Sequence, residues 1–440
     1  MKPSSSIYSD LFAERSTLQR MLDFEAALAR AEAVTGVIPK TTPGPIALCC
    51  KAELYDPQEI AEAAAHAGNT AIPLVKFLTA EVKEIDANAA RYVHWGATSQ
   101  DVIDTGLMLQ LREAFDLIDG DLAALCATLA KLADAHRATP MAARTWMQQA
   151  IPITLGLKFA GWLDALNRQQ GRMSAARPRI LALQFGGAAG SLAALGDKGL
   201  QVSAALAAEL KLPLPDIPWH TERDRVAEAA TLFGLLAGTL GKIARDLSLM
   251  TQSEVAEIAE PAAPGRGGSS SLPHKRNPVS CAAVLAAAIQ VPGLVSTMLS
   301  AMVQEHERAL GGWQAEWETL PQIVRLTGSA LHHMMTLMEG LEINAGRMLA
   351  NLEATRGLVY AESASMLLAG RLGKETAHEL LQKASNQATK ENRHLRDVLL
   401  EDATVRAHFP NSAIVKLFDP LLYLGMANEF ITRTIKTVKE

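Results

Sequence analysis

Leu107-Met-Leu-Gln-Leu-Arg-Glu-Ala-Phe-Asp-Leu-Ile-Asp-Gly-Asp-Leu-Ala-Ala-Leu-Cys-Ala-Thr-Leu-Ala-Lys-Leu132 sets its apolar residues in steps of four and three, at Leu107, Leu111, Phe115, Ile118, Leu122, Leu125, Leu129 and Leu132. That spacing puts one apolar stripe along a helix, and its unbroken length predicts a bundle helix that ends at Pro140. On its C-terminal side, Met141 to Ala150 reads as a connector into a second long helix through Leu155, Phe159, Trp162 and Leu166. A glycine-rich turn at 184–191 and a shorter helix near Val202 to Leu210 follow. The longest stripe is Val226, Phe233, Leu236, Leu240, Ile243, Leu247 and Met250. Two more long helices are expected over Val284 to Arg308, bent at Pro292, and over Pro321 to Leu341. Upstream, shorter helices are expected over Arg15 to Val34, after Asp56-Pro57, where Asp caps and Pro opens the helix, and from Ile72 to about Glu84. Beyond Asn351 the helical stretches become shorter and more charged.

Five long helices without convincing strand alternation predict an all-α fold with three helical domains. These are an N-terminal domain over 1–105, a central five-helix bundle over 106–345 and a small C-terminal domain over 346–440. Several stripes carry Ala and Leu on more than one side, which points to packing between subunits.

The 440 residues are 49% hydrophobic and 20% charged, enough to bury a large core. A net charge of −5 leaves no electrostatic footprint for nucleic acid and no basic membrane patch. No uninterrupted apolar run reaches the length of a membrane span, and the N-terminus lacks an apolar signal core. The expectation is a cytoplasmic protein that binds neither nucleic acid nor membrane. Cys49, Cys50, Cys126 and Cys281 have neither metal spacing nor a disulfide pattern and read as buried free thiols.

Two polar segments interrupt this helical chain. In Gly265-Arg-Gly-Gly-Ser-Ser-Ser-Leu-Pro-His-Lys-Arg-Asn-Pro278, the glycines allow close approach to a ligand and Ser269, Ser270 and Ser271 supply hydroxyls. Lys275 and Arg276 supply charge, and Asn277-Pro278 starts the next helix, whose N-terminus should face the loop. A solvated Gly/Ser linker is the rival reading, and the Lys-x-Asn-Pro helix start speaks against it. The second segment is Tyr92 to Thr105, whose polar residues precede a long helix instead of sitting within one.

Gly268-Ser-Ser-Ser-Leu-Pro-His-Lys-Arg-Asn-Pro278 resembles the Gly-Ser-Ser-x-Met-Pro-x-Lys-x-Asn-Pro signature of the fumarase/aspartase superfamily, with Leu272 in place of Met. His94-x-Gly-x-Thr-Ser-x-Asp101 and Arg144-Thr-x-x-Gln148 resemble two further signature regions, in the expected order. The resemblance spans the chain. It implies a helical homotetramer whose active sites are each assembled from three subunits.

Members that expel an amine carry His after Arg-Thr, to protonate the leaving atom. This chain has Trp146, whose indole cannot shuttle a proton near neutral pH. A carboxylate leaving group needs no such acid, so the resemblance implies lactone chemistry on a small tricarboxylate, with one carboxylate adding to a conjugated alkene.

The resemblance places the carbon acid/base on Ser269, and charge stabilisation on Lys275 and Asn277. His94 either binds a carboxylate, assists proton transfer or is structural. Thr98, Ser99, Thr145, Gln148 and Ser270 are expected to bind substrate, with Trp146 shaping the pocket. Arg223 and Arg308 are candidates for the substrate carboxylates, with salt bridges as the alternative. No metal and no cofactor are implied. Two rivals stay open: a lyase that releases fumarate from an aspartate-derived substrate, and a non-catalytic helical scaffold.

Overall fold

The computed structural model describes residues 5–262, 267–268, 271–272 and 274–438. Ser269 and Ser270 lie outside the described residues. Five long helices carry the chain: α2 (Ser99–Ala135), α3 (Leu155–Ile180), α4 (Asp224–Met250), α5 (Val279–Ser300) and α6 (Gly312–Glu339). Ahead of them runs α1 (Glu14–Thr35), stopped by Gly36 in the left-handed conformation. The helix Pro57–Ala67 begins as expected, with Asp56 accepting from the Gln58 amide and Pro57 in the first turn.

The stripes are the packing faces. Leu111, Phe115, Ile118, Leu122, Leu125 and Leu129 of α2 are fully buried, as are Val226, Phe233, Leu236 and Leu240 of α4. Phe115 meets Phe233 with ring centroids 5.4 Å apart. Gln169 of α3 donates to the Leu232 carbonyl of α4, and Thr327 of α6 donates to the Phe233 carbonyl. At Gly241 of α4 an added Cβ would lie 2.5 Å from the Ala288 Cβ of α5, so these helices approach as closely as their backbones allow. The four cysteines are free and buried.

Three expectations need correction. Residues 140–154 are not a plain connector: β1 (Pro140–Thr145) and β2 (Gln148–Thr154) form an antiparallel hairpin with a bulge between Ala142 and Arg144. Second, α6 begins at Gly312 and carries Pro321 within it. Third, α5 ends at Ser300, short of Arg308. A second pair of short strands, β3 (Ile258–Ala259) and β4 (Glu342–Ile343), brings the chain to the signature loop.

The chain divides into two compact units, Met1–Leu122 with Gln169–Gly241 and Val284–His333, and Ala123–Arg168 with Lys242–Ala283 and Met334–Glu440. Each of the five long helices contributes residues to both. Within the second unit the short C-terminal helices close over a core of their own, including Leu368, Leu381, Leu395, Leu399, Val405 and Ile414.

Candidate active site

In the first unit the site is organised by Asp101, in the first turn of α2. Its buried carboxylate accepts from the amides of Thr98, Gly186 and Gly187, from the Gln184 side chain and from His220 Nε2 at 2.8 Å. A carboxylate with so many donors holds the start of α2 against the 184–187 turn. Thr98 and Ser99 thus sit at the head of a long helix, whose dipole favours an anion. Arg308 joins them: its guanidinium donates to Thr98 Oγ1 at 2.9 Å and to the Ala188 carbonyl at 3.0 Å.

His94 lies just ahead, with backbone φ of 58°. Its Nδ1 donates to Glu25 Oε1 of α1 at 2.6 Å. Gly96 is required here, because φ is 71° and a Cβ would sit 2.7 Å from Leu195 Cδ2. Burial pulls the His94 imidazole down, but the charge and hydrogen bond of Glu25 and the charge of Asp101 outweigh it, leaving its pKa above the ordinary value.

Arg223 is a correction. It is 2% exposed and donates to both oxygens of Asp104 and both of Glu316, with its guanidinium 5.0 Å from the Trp219 ring. With those donors spent on two buried carboxylates it is a structural residue, not a substrate ligand.

The second unit holds the other two signature regions. At the tip of the β1–β2 hairpin Thr145 pairs with Gln148, and Trp146 and Met147 make the turn with φ of 51° and 67°. Trp146 is 98% exposed. Just below the tip the hairpin is clamped by Arg144, which makes a bidentate pair with the buried Glu257 at 3.0 and 2.6 Å, while Asn351 donates to the same carboxylate.

Glu257 directly precedes β3, from which the chain enters the signature loop. The described residues of that loop face a pocket of about 1060 Å³, lined in part by Lys275, Asn277, Gly267, Gly268 and Thr251. Asn277 closes the loop, its amide donating to the Gly267 carbonyl at 2.7 Å, and a Cβ on Gly267 would meet the Asn277 carbonyl at 2.7 Å. Among the described residues Lys275 makes no ion pair, whereas Arg276 is held by Glu342.

Asn277 does not cap α5 as expected. The cap is Glu260, whose carboxylate accepts from the amides of Ser280 and Cys281 at 3.0 and 2.9 Å and so occupies the helix N-terminus.

Glu25, Glu257 and Glu260 were not found from sequence. Each acts on a residue far along the chain or across a loop, and an isolated Glu on an apolar face carries no spacing signal.

The lyase family matches residues 2–293, and the family described as the adenylosuccinate lyase C-terminus matches residues 357–434. The chain is 55% identical over 425 residues to a 3-carboxy-cis,cis-muconate cycloisomerase of Pseudomonas aeruginosa, covering 97% of this chain and 93% of that one. It is also 55% identical to the enzyme of that name from Bradyrhizobium diazoefficiens, covering 97% and 94%. The crystal structure of the 3-carboxy-cis,cis-muconate lactonizing enzyme from Pseudomonas putida superposes with a TM-score of 0.95 at 50% identity, covering 98% of this chain and 96% of that one. The chain belongs to the fumarase/aspartase superfamily of lyases and, within it, to the family of the 3-carboxy-cis,cis-muconate cycloisomerases.

Proposed function

We propose that this enzyme is an isomerase that closes 3-carboxy-cis,cis-muconate to a carboxymuconolactone, in aromatic catabolism. The observation that carries the reading is full-length similarity to enzymes named for this reaction. Trp146 is consistent with it: the hairpin tip offers an indole where an amine-expelling lyase needs a proton donor. That speaks against the fumarate-releasing alternative.

One substrate carboxylate oxygen bonds to an alkene carbon, and the alkene electrons move into the conjugated carboxylate as an aci-carboxylate. Ser269 then delivers a proton to the neighbouring carbon. Ser269 regains its proton from solvent, so one proton is taken up for each ionised substrate closed; as neutral acids substrate and product are isomers, and no cofactor is needed. Stabilising the aci-carboxylate is the main task, and preorganised donors contribute about 3–4 kcal/mol each in such sites. Lys275, as a cation without an ion pair among the described residues, and Asn277 take that role. Thr98 and Ser99 at the α2 N-terminus, with Arg308, hold a second carboxylate. Thr145, Gln148 and Ser270 bind substrate, and Trp146 shapes the pocket.

The proposed layout has three domains, 1–105, 106–345 and 346–440, in a cytoplasmic homotetramer whose sites are shared between subunits. Helix α5 supports self-association. Against the expectation that no apolar run reaches the length of a membrane span, both it and α4 are long and apolar enough to cross one, yet only 28% of the most apolar window of α5 is buried in the single chain, and Ile289 and Leu299 are exposed on it. A helix apolar on its open face needs a partner, and other copies of α5 supply one.

Ser269→Ala tests the proton assignment. The variant should keep its oligomeric state by sedimentation and lose turnover by about a hundredfold or more. Activity within a few fold of the parent would contradict the assignment.

A further inference from the structure

Helix α1 carries two acids on the face it buries, Glu25 at 1% and Glu32 at 0% exposure. Glu25 uses one oxygen for His94 Nδ1, and its other oxygen, also buried, has no hydrogen-bond partner among the described residues. A carboxylate buried in this way is costly unless a cation answers it. The imidazole is the group in contact with it. His94 is held by its backbone as well, in a left-handed conformation that costs of order 1 kcal/mol and is met most often where structure serves a site. With Nδ1 committed to Glu25, Nε2 is the ring nitrogen left for a ligand, and it has no partner among the described residues.

We propose that Glu25 is a positioning residue for the reaction: it fixes the His94 ring and holds it as a cation, so that Nε2–H binds a substrate carboxylate and His94 does not serve as the base. This rests on the reading of His94 as part of the active site.

The surrounding charges agree with it. Asp101 of α2 adds a second negative charge toward His94, but its own carboxylate is already answered by His220, and Arg308 is turned to Thr98. Glu32 has no hydrogen-bond partner among the described residues, and burial, with the charge of Glu25, pushes it up to about 9. It is therefore neutral at pH 7, which leaves Glu25 as the acid of α1 that is charged and hydrogen-bonded to His94.

The test compares the full-length protein with Glu25→Gln, which keeps the shape and removes the charge. The His94 ring is followed by NMR in histidine-labelled protein, and steady-state kinetics are measured with 3-carboxy-cis,cis-muconate across pH. His94 should titrate above the ordinary imidazole range in the parent and at least about one unit lower in the variant. KM at neutral pH should then rise severalfold, approaching the roughly tenfold change that one unit represents where pH lies above both midpoints, with a smaller change in kcat. The rise should shrink at lower pH, because the cation is present below the pKa and lost above it.

An unchanged His94 midpoint, or a KM defect equal at every pH, would overturn the proposal. If Glu25→Gln does not fold, the parent decides alone: a His94 midpoint at or below the ordinary value refutes the cation. If the parent shows no turnover of this substrate, the proposed function fails, while the NMR comparison still decides the His94–Glu25 pair.

Discussion

Glu32 shows how much a single buried side chain can cost. Its ordinary pKa of 4.5 is raised to about 9 by burial first and by Glu25 second. The folded chain therefore keeps a proton that the unfolded chain loses above about pH 4.5. Stability conferred by the neutral form is full below that pH and falls as pH rises toward 9, at about 1.4 kcal/mol per unit. Glu32→Gln removes the titration. Denaturant unfolding at fixed protein concentration should show the variant nearly equal to the parent at pH 4.5 and increasingly more stable than it as pH rises to 8. Equal stability of the two proteins at both pH values would contradict the burial argument.

Single residues are also where reading the sequence goes astray. Arg223 sits in a recognisable polar segment, but its partners Asp104 and Glu316 lie 119 and 93 residues away. No local pattern distinguishes an arginine facing a ligand from one answering two buried acids. His94, Thr98, Lys275 and Asn277 are legible as candidates because each belongs to a short run whose spacing is itself the signal.

Among the elements, the β1–β2 hairpin is the one the periodicity conceals. A two-residue turn with positive φ at both positions usually carries Asn-Gly, and here it carries Trp146-Met147. Neither residue announces a turn, so 141–150 reads as a connector. The proposed reading gives this strain a function, since two large side chains are held at the tip, exposed in the single chain. Replacing them together, Trp146→Asn with Met147→Gly, should leave the thermal midpoint unchanged or raise it, by relief of about 1 kcal/mol per residue. KM should rise by at least about tenfold, since the tip no longer shapes the pocket. An unaltered KM would show that the tip has no role in binding. The long helices, by contrast, are legible almost to their ends. The errors at Gly312 and Pro321 fall where glycine and proline give conflicting signals for a boundary, whereas α5 stops at Ser300 with neither residue anywhere in 294–310 to mark the end.

For the whole molecule, an apolar helix with an open face is legible as a stripe wider than one neighbour needs, but its partner is not, because nothing in the chain states which copy covers it. If α5 meets other copies, Ile289→Asp, at a residue 74% exposed in the single chain, should place a charge in that interface. Sedimentation velocity should then show species smaller than the proposed tetramer, with turnover lost in proportion, since sites of the proposed shared kind fail together. A variant that stays at the parent's sedimentation coefficient, or an active monomer, would contradict the shared-site arrangement.

The proposed chemistry is the addition of a carboxylate across a conjugated alkene, with an indole and not an imidazole at the hairpin tip. It can be followed through the ultraviolet absorbance of 3-carboxy-cis,cis-muconate incubated with the purified protein, with the product identified by NMR. The expected result is loss of the diene band with one lactone formed per substrate consumed. An undiminished band, with fumarate released instead from an aspartate-derived substrate such as adenylosuccinate, would contradict it.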